Sequence, residues 1–159
     1  MSNPAYLWLM DENGSPVIGS CMILGREGAI ELKSLTHNMN IPSDRSTGRL
    51  TGTRIHMPII MQKEFDKTTP VLYRALSESI TLKSAVIKMY CIMESGIEAE
   101  YFNIILDNVK VVSITPNLYP GNMTGMHTES IEFRYEAITW KHCDGNIIYK
   151  DAWNHRTVA

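Results

Sequence analysis

Paired turn residues cut this chain into short apolar segments, and that punctuation limits its fold more than any other feature. Asn13-Gly14, Glu27-Gly28, Ser95-Gly96 and Asp144-Gly145 supply the positive φ angles or flexible corners that tight turns need. Between them, residues 6–10, 17–24, 29–39, 59–66, 82–93, 98–106, 108–114, 130–142 and 146–150 read as strands, rich in β-branched and aromatic side chains. In 130–142, Ile131, Phe133 and Tyr135 share one face while Ile138 and Trp140 take the other, so a bulge is expected near Glu136-Ala137. The period changes only at Thr69-Pro70-Val71-Leu72. There Thr69 is expected as N-cap and Pro70 as the first helical residue, with Val71, Leu72, Ala75 and Leu76 on one face of a helix over 70–78. Eight or nine strands against one helix fit a mainly β fold: an antiparallel β-barrel of two packed sheets, closed or nearly closed.

At 159 residues the chain suits a single domain, 1–159, able to bury roughly 70% of its unfolded surface. A net charge of −2 with no basic run gives no electrostatic reason to expect nucleic acid or an anionic membrane as partner. No apolar stretch approaches the roughly 18 residues that span a bilayer, and the first residues lack the basic region of a signal peptide. Cys21, Cys91 and Cys143 are odd in number and share no metal-ligand spacing, so reduced, mostly buried thiols and folding in the cytosol are expected.

Residues 37–58 contain Pro42, Gly48, Gly52 and Pro58 with three threonines and three arginines. Such a stretch cannot bury an apolar stripe and should project from the body as an extended loop over about 41–58. Its wording, Ile-Pro-Ser-Asp-x-x-Thr-Gly-x-Leu-Thr-Gly-Thr-Arg-Ile-His-x-Pro, resembles the extended loop of the Hcp proteins, the tube subunits of bacterial type VI secretion. Other segments resemble the same family in order: Pro4-Ala5-Tyr6-Leu7-Trp8-Leu9, Lys63-Glu64-Phe65-Asp66, Pro70-x-Leu72-Tyr73-x-Ala75-Leu76, Glu100-Tyr101-Phe102-Asn103 and Glu132-Phe133-Arg134-Tyr135. Departures concentrate at 22–24, at 89–93 and in the connection over 117–128, where Pro120-Gly121-Asn122 and Gly125 suggest flexibility.

The resemblance implies a structural subunit rather than an enzyme: a homohexamer whose rings stack into a tube, with a spike protein, a contractile sheath and secreted effectors as partners. It implies residence in the cytoplasm before firing and export without a signal peptide, with no cofactor. In the loop, Arg45, Arg49 and Arg54 can hydrogen-bond to the next ring, with Gly48 and the Ser95-Gly96 turn beside that contact; solvated loop charges are the plainer reading. Ser34 and Thr36 share a face of the third strand, which the resemblance places on the inner wall facing cargo; an outer-surface position is the alternative. Val86, Tyr90, Tyr101 and Ile104 suit burial against core or neighbour. The same architecture would serve a phage-tail-tube subunit. A small ligand-binding or hydrolytic β-barrel is the competitor of another class.

Little in the residues supports that competitor. There is no Gly-x-Ser-x-Gly elbow and no phosphate-binding glycine loop. None of His37, His56, His127, His142 and His155 has paired metal-ligand spacing. His37 and His56 stand at the two roots of the loop, where closing hydrogen bonds are the expected role. The chain ends nine residues after Lys150, so no appended domain is expected.

Overall fold

The computed structural model describes residues 3–118 and 127–154; the expected flexible residues Pro120, Gly121, Asn122 and Gly125, and His155, lie outside them. Within it, β1 (Ala5–Met10), β3 (Ile30–Thr36), β6 (Ile59–Glu64), β9 (Thr128–His142), β8 (Glu98–Asn117) and β7 (Leu82–Ile92) pair in a ring, every neighbour antiparallel. The barrel is thus closed. β2 (Pro16–Val17) lies along β1, and β10 (Ile147–Ala152) pairs with the second half of β9 outside the closed ring. A two-stranded ribbon of β4 (Met39–Asn40) and β5 (Ile55–His56) forms the base of the projecting loop.

Leu7, Ile30, Ile59, Met61, Ile87, Leu106 and Phe133 point inward and are sealed from solvent, each burial worth about 1.5–3 kcal/mol before entropy is charged against it. Helix α1 (Thr69–Ser77) plugs the end of the barrel opposite the loop through Leu72 and Ala75; Val71, expected on that face, is exposed. The helix starts one residue earlier than its sequence suggests, with Thr68 at the N-cap position. Thr69 does not cap, because its hydroxyl is claimed by a buried network. Lys63 and Glu129, both fully buried, lie 2.5 Å apart; Lys63 also reaches Asp66 at 3.0 Å and Thr69 at 3.3 Å, and the Thr69 hydroxyl donates to Glu129 at 2.8 Å. A charged staple therefore ties helix α1 to β6 and β9.

Three strand expectations are corrected. Residues 98–106 and 108–114 form one strand, β8, because Asn108 enters the left-handed region (φ 52°) without leaving the ladder and donates to Glu136 at 2.6 Å. The bulge expected at Glu136-Ala137 is absent there: Asp107 pairs Ala137 and Val109 pairs Tyr135 in one register, and the shift lies in the partner strand between Val111 and Ser113. The expected strand 17–24 ends at Val17. Gly19 passes so close to Ala29 that an added Cβ would sit 2.4 Å from the Ala29 carbonyl oxygen, and the chain turns into a flap whose Arg26 stacks on Tyr90 and pairs with Glu98 at 2.5 Å. Gly19→Ala should cost about 1–3 kcal/mol in urea unfolding, since backbone must move to admit the methyl group.

Candidate functional site

The projecting segment is an ordered arm, not a loose loop. Beyond the β4–β5 ribbon, Ser43 bridges Leu50, Thr51 N–H donates to the Pro42 carbonyl, and Asp44 N–H donates to the Arg49 carbonyl. Its tip is shaped by Asp44, whose carboxylate accepts from the backbone N–H of Ser46 (2.7 Å) and Thr47 (3.1 Å). Those donors hold the Asp44 carboxyl below its ordinary range. Gly48 closes the turn at φ 71°, a conformation that suits glycine. Arg45 and Arg49 are exposed at the tip, with Leu50 beside them.

Arg54, expected to reach toward the next ring, has partners within its own chain. Its guanidinium forks onto Asp151 of β10 (2.5 and 2.8 Å) and donates to the Ala152 carbonyl at 2.8 Å. Planar bidentate pairing of this kind is the strong form of the arginine–carboxylate contact. Arg54 thereby anchors the arm to its own chain.

Asp151 also accepts from His56, whose Nε2 lies 2.8 Å from its carboxylate. The other ring nitrogen of His56 is 2.6 Å from the Tyr135 hydroxyl, and His37 Nε2 is 2.9 Å from that same oxygen. His56 is only 1% exposed. Both roots of the arm thus meet on one tyrosine of β9, which gives the two histidines the closing role expected of them. Tyr135 and Asp151 escaped sequence reasoning: they stand 79 and 95 residues from His56, and no local motif marks either.

The ends of the barrel follow from strand direction. β3 and β7 are each antiparallel to β1, so the arm and the Ser95–Gly96 turn leave from the same end. β9 runs the same way as β3, through β6, so the turn at 143–146 joins them. Exposed Met93 and Ile97 flank the Ser95–Gly96 turn.

Ser34 and Thr36 are exposed on one barrel face because the register shift between Leu32 and Ser34 turns them outward together. They belong to two cross-strand rows: Ser34, Gln62, Ser130 and Thr115, all polar and uncharged, then Thr36, Ile60, Glu132 and Ser113, where the exposed Ile60 interrupts the polar face. Gln62 donates to Thr128 at 3.1 Å and Asn117 to Ser130 at 3.2 Å. The surface around β10 is different. Among the described residues β10 pairs only with β9, and Ile147, Ile148 and Tyr149 are largely exposed, Tyr149 stacked on Trp140 at 6.2 Å. Of the residues read as two-faced, Tyr90 and Ile104 are buried within the chain, Val86 is half-buried and Tyr101 exposed. An unpaired edge beside exposed apolar groups is a template for protein association. Among the described residues, no group of three or more His, Cys, Asp or Glu could hold a metal ion, and Cys21, Cys91 and Cys143 are free thiols that are half-buried rather than buried as expected.

Residues 6–142 match the family model described as type VI secretion system effector, Hcp. The chain is 30% identical to the major exported protein of Pseudomonas aeruginosa, the match covering 96% of each. Among solved structures, an Hcp1 protein of the E. coli EAEC 042 pathovar superposes with a TM-score of 0.88 at 49% identity, covering 96% of this chain and 99% of that one. Secreted protein Hcp3 from Pseudomonas aeruginosa shares the fold at a TM-score of 0.81 and 23% identity, over 97% of this chain and 100% of its own.

Proposed function

Because this chain belongs to the Hcp family of type VI secretion, whose members are exported structural tube proteins, we propose that it builds hexameric rings which stack end to end through the arm. The observation that carries this reading is the arm itself: a hydrogen-bonded hairpin that presents Arg45 and Arg49 at a tip made rigid by Asp44. A preorganised projection loses little entropy on docking. Arg45, Gly48 and Arg49, with Ser95 and Gly96 at the same end of the barrel, make the contact to the next ring.

Lateral closure uses the sides of the barrel, head to tail, as a closed ring requires; the open edge of β10 supports this. The face through Ser34 and Thr36 lines the lumen, where its hydroxyl and amide groups, with the exposed Ile60 among them, let varied effectors pass without a fixed pocket. The assembled tube stays in the cytoplasm until a contractile sheath drives it out behind a spike protein. No catalytic step belongs to this role.

Two measurements test it. Native mass spectrometry should find a species near six times 18.0 kDa; a monomer at high concentration would refute the ring. A variant with residues 45–53 replaced by a two-residue turn should keep the barrel's unfolding midpoint and the hexamer. Its stacking, followed by electron microscopy and sedimentation, should weaken by about tenfold or more, which corresponds to about 1.4 kcal/mol. Stacking equal to that of the intact chain would refute the role of the arm.

A further inference from the structure

Two histidines from opposite roots of the arm converge on one phenol, and a phenol has a single proton to give. Burial pushes the Tyr135 hydroxyl well above the ordinary tyrosine range, so it keeps that proton. Asp151, gripped by Arg54, is an acceptor only, which fixes a proton on Nε2 of His56. Tyr135 must then donate to one histidine and accept from the other. Two arrangements close the chain. Either Tyr135 donates to a neutral His56 and accepts from His37, or a charged His56 donates to Tyr135, which donates to a neutral His37. With both rings charged, two ring N–H groups point at one oxygen and the hydroxyl proton has no acceptor. The cluster then has to open.

The remaining neighbours offer the Tyr135 proton no other acceptor. Arg54 donates to Asp151 and Ala152, Trp153 offers His56 a ring face at 5.9 Å, Arg134 adds positive charge near Tyr135, and the Met57 backbone hydrogen-bonds His37 in a way that favours its charged form without accepting from Tyr135. His56 is sealed in, whereas His37 is only half-buried and can swing toward water.

We propose that this cluster is a proton-operated latch: the first root of the arm is held to Tyr135 while at least one of the two rings is neutral, and the second proton that the pair takes up on mild acidification frees the half-buried His37 and its root while the barrel stays folded. Burial first, and the neighbouring His56 second, hold His37 below its ordinary value of 6.5. The sign follows: the latched state binds this proton less readily than the released one, so the latch is complete above about pH 6.5 and is lost as pH falls below it. Shorter tubes over the same pH interval would be a consequence that rests on the proposed stacking role; the latch does not depend on it.

Amide hydrogen exchange on the full chain, corrected for intrinsic rates, tests the latch at about pH 7.5 and about pH 5. Protection at Asp44, Gly48, Thr51 and Met57 should fall by about tenfold or more on acidification, while Leu7 and Ile87 in the barrel stay protected. His37→Gln, which cannot titrate, should give the arm the same protection at both pH values. Tyr135→Phe should leave it weakly protected at both. A second readout guards against variants that fail to fold: the imidazole resonances of His37 in the unaltered chain should titrate with the same midpoint as the arm loosens. Unchanged arm protection on acidification, a pH response that survives in His37→Gln, or mismatched midpoints would each overturn the latch. A working latch with unaltered tube length would instead count against the stacking role alone.

Discussion

Replacing Lys63 with Met should destabilise the barrel by about 3–5 kcal/mol, the largest loss expected from a single polar substitution in this chain. Lys63 and Glu129 are both fully buried, and Lys63 is the cation that compensates Glu129 and Asp66. Without it, a carboxylate is left in the interior with the Thr69 hydroxyl as its donor and one oxygen, Oε2, that has no hydrogen-bond partner among the described residues. Removing both charges is a different matter, since well-packed apolar pairs often do as well as a buried ion pair. Lys63→Met with Glu129→Leu should therefore recover most of the loss. Urea unfolding at fixed protein concentration, which keeps any assembly constant, gives the comparison; equal losses in the single and double variants would show that the staple's charges do not govern the cost.

Asp151→Ala should cost about 2–3 kcal/mol at neutral pH, toward the lower end for a broken buried pair because Arg54 retains some contact with water. It strips the acceptor from both Arg54 and His56, so the arm's second root and the end of β10 lose their common anchor. The loss has a pH signature. The Arg54 hydrogen bonds first, and that of His56 after them, hold the Asp151 carboxyl below its ordinary value of 3.8. A depressed carboxyl adds stability that is complete above the unfolded value and disappears as pH falls through the folded one. The gap between the unaltered chain and Asp151→Ala should thus shrink as pH falls below about pH 3.8. A gap that persists at about pH 2 would mean that lost packing, not the carboxylate, sets the cost.

These sites lie where reading the sequence was least able to reach. Thr69 looks like a helix cap in its local frame, and only the approach of Glu129, 60 residues away, converts its hydroxyl into part of a charged staple. Arg54 reads as one of three loop cations until β10 brings Asp151 beside it. The phase change in β9 is visible in Ile131, Phe133, Ile138 and Trp140, but what lies across from it is not: Asn108 of β8 takes a positive φ beside Glu136 without shifting the register there.

What the residue order determined by itself is the material set by neighbours along the chain: the Asn13-Gly14, Ser95-Gly96 and Asp144-Gly145 turns, the strands they separate, the helix with Pro70 in its first turn, and an arm over 41–58 too polar to be buried. Turn angles and side-chain alternation act over a few residues, so they are written locally. Tertiary structure decided the rest: closure of β8 on β9, the outward turn of Ser34 and Thr36, the Lys63 staple and the shared hydroxyl of Tyr135. Each depends on groups from distant strands reaching hydrogen-bond or packing distance, a condition that only barrel closure satisfies.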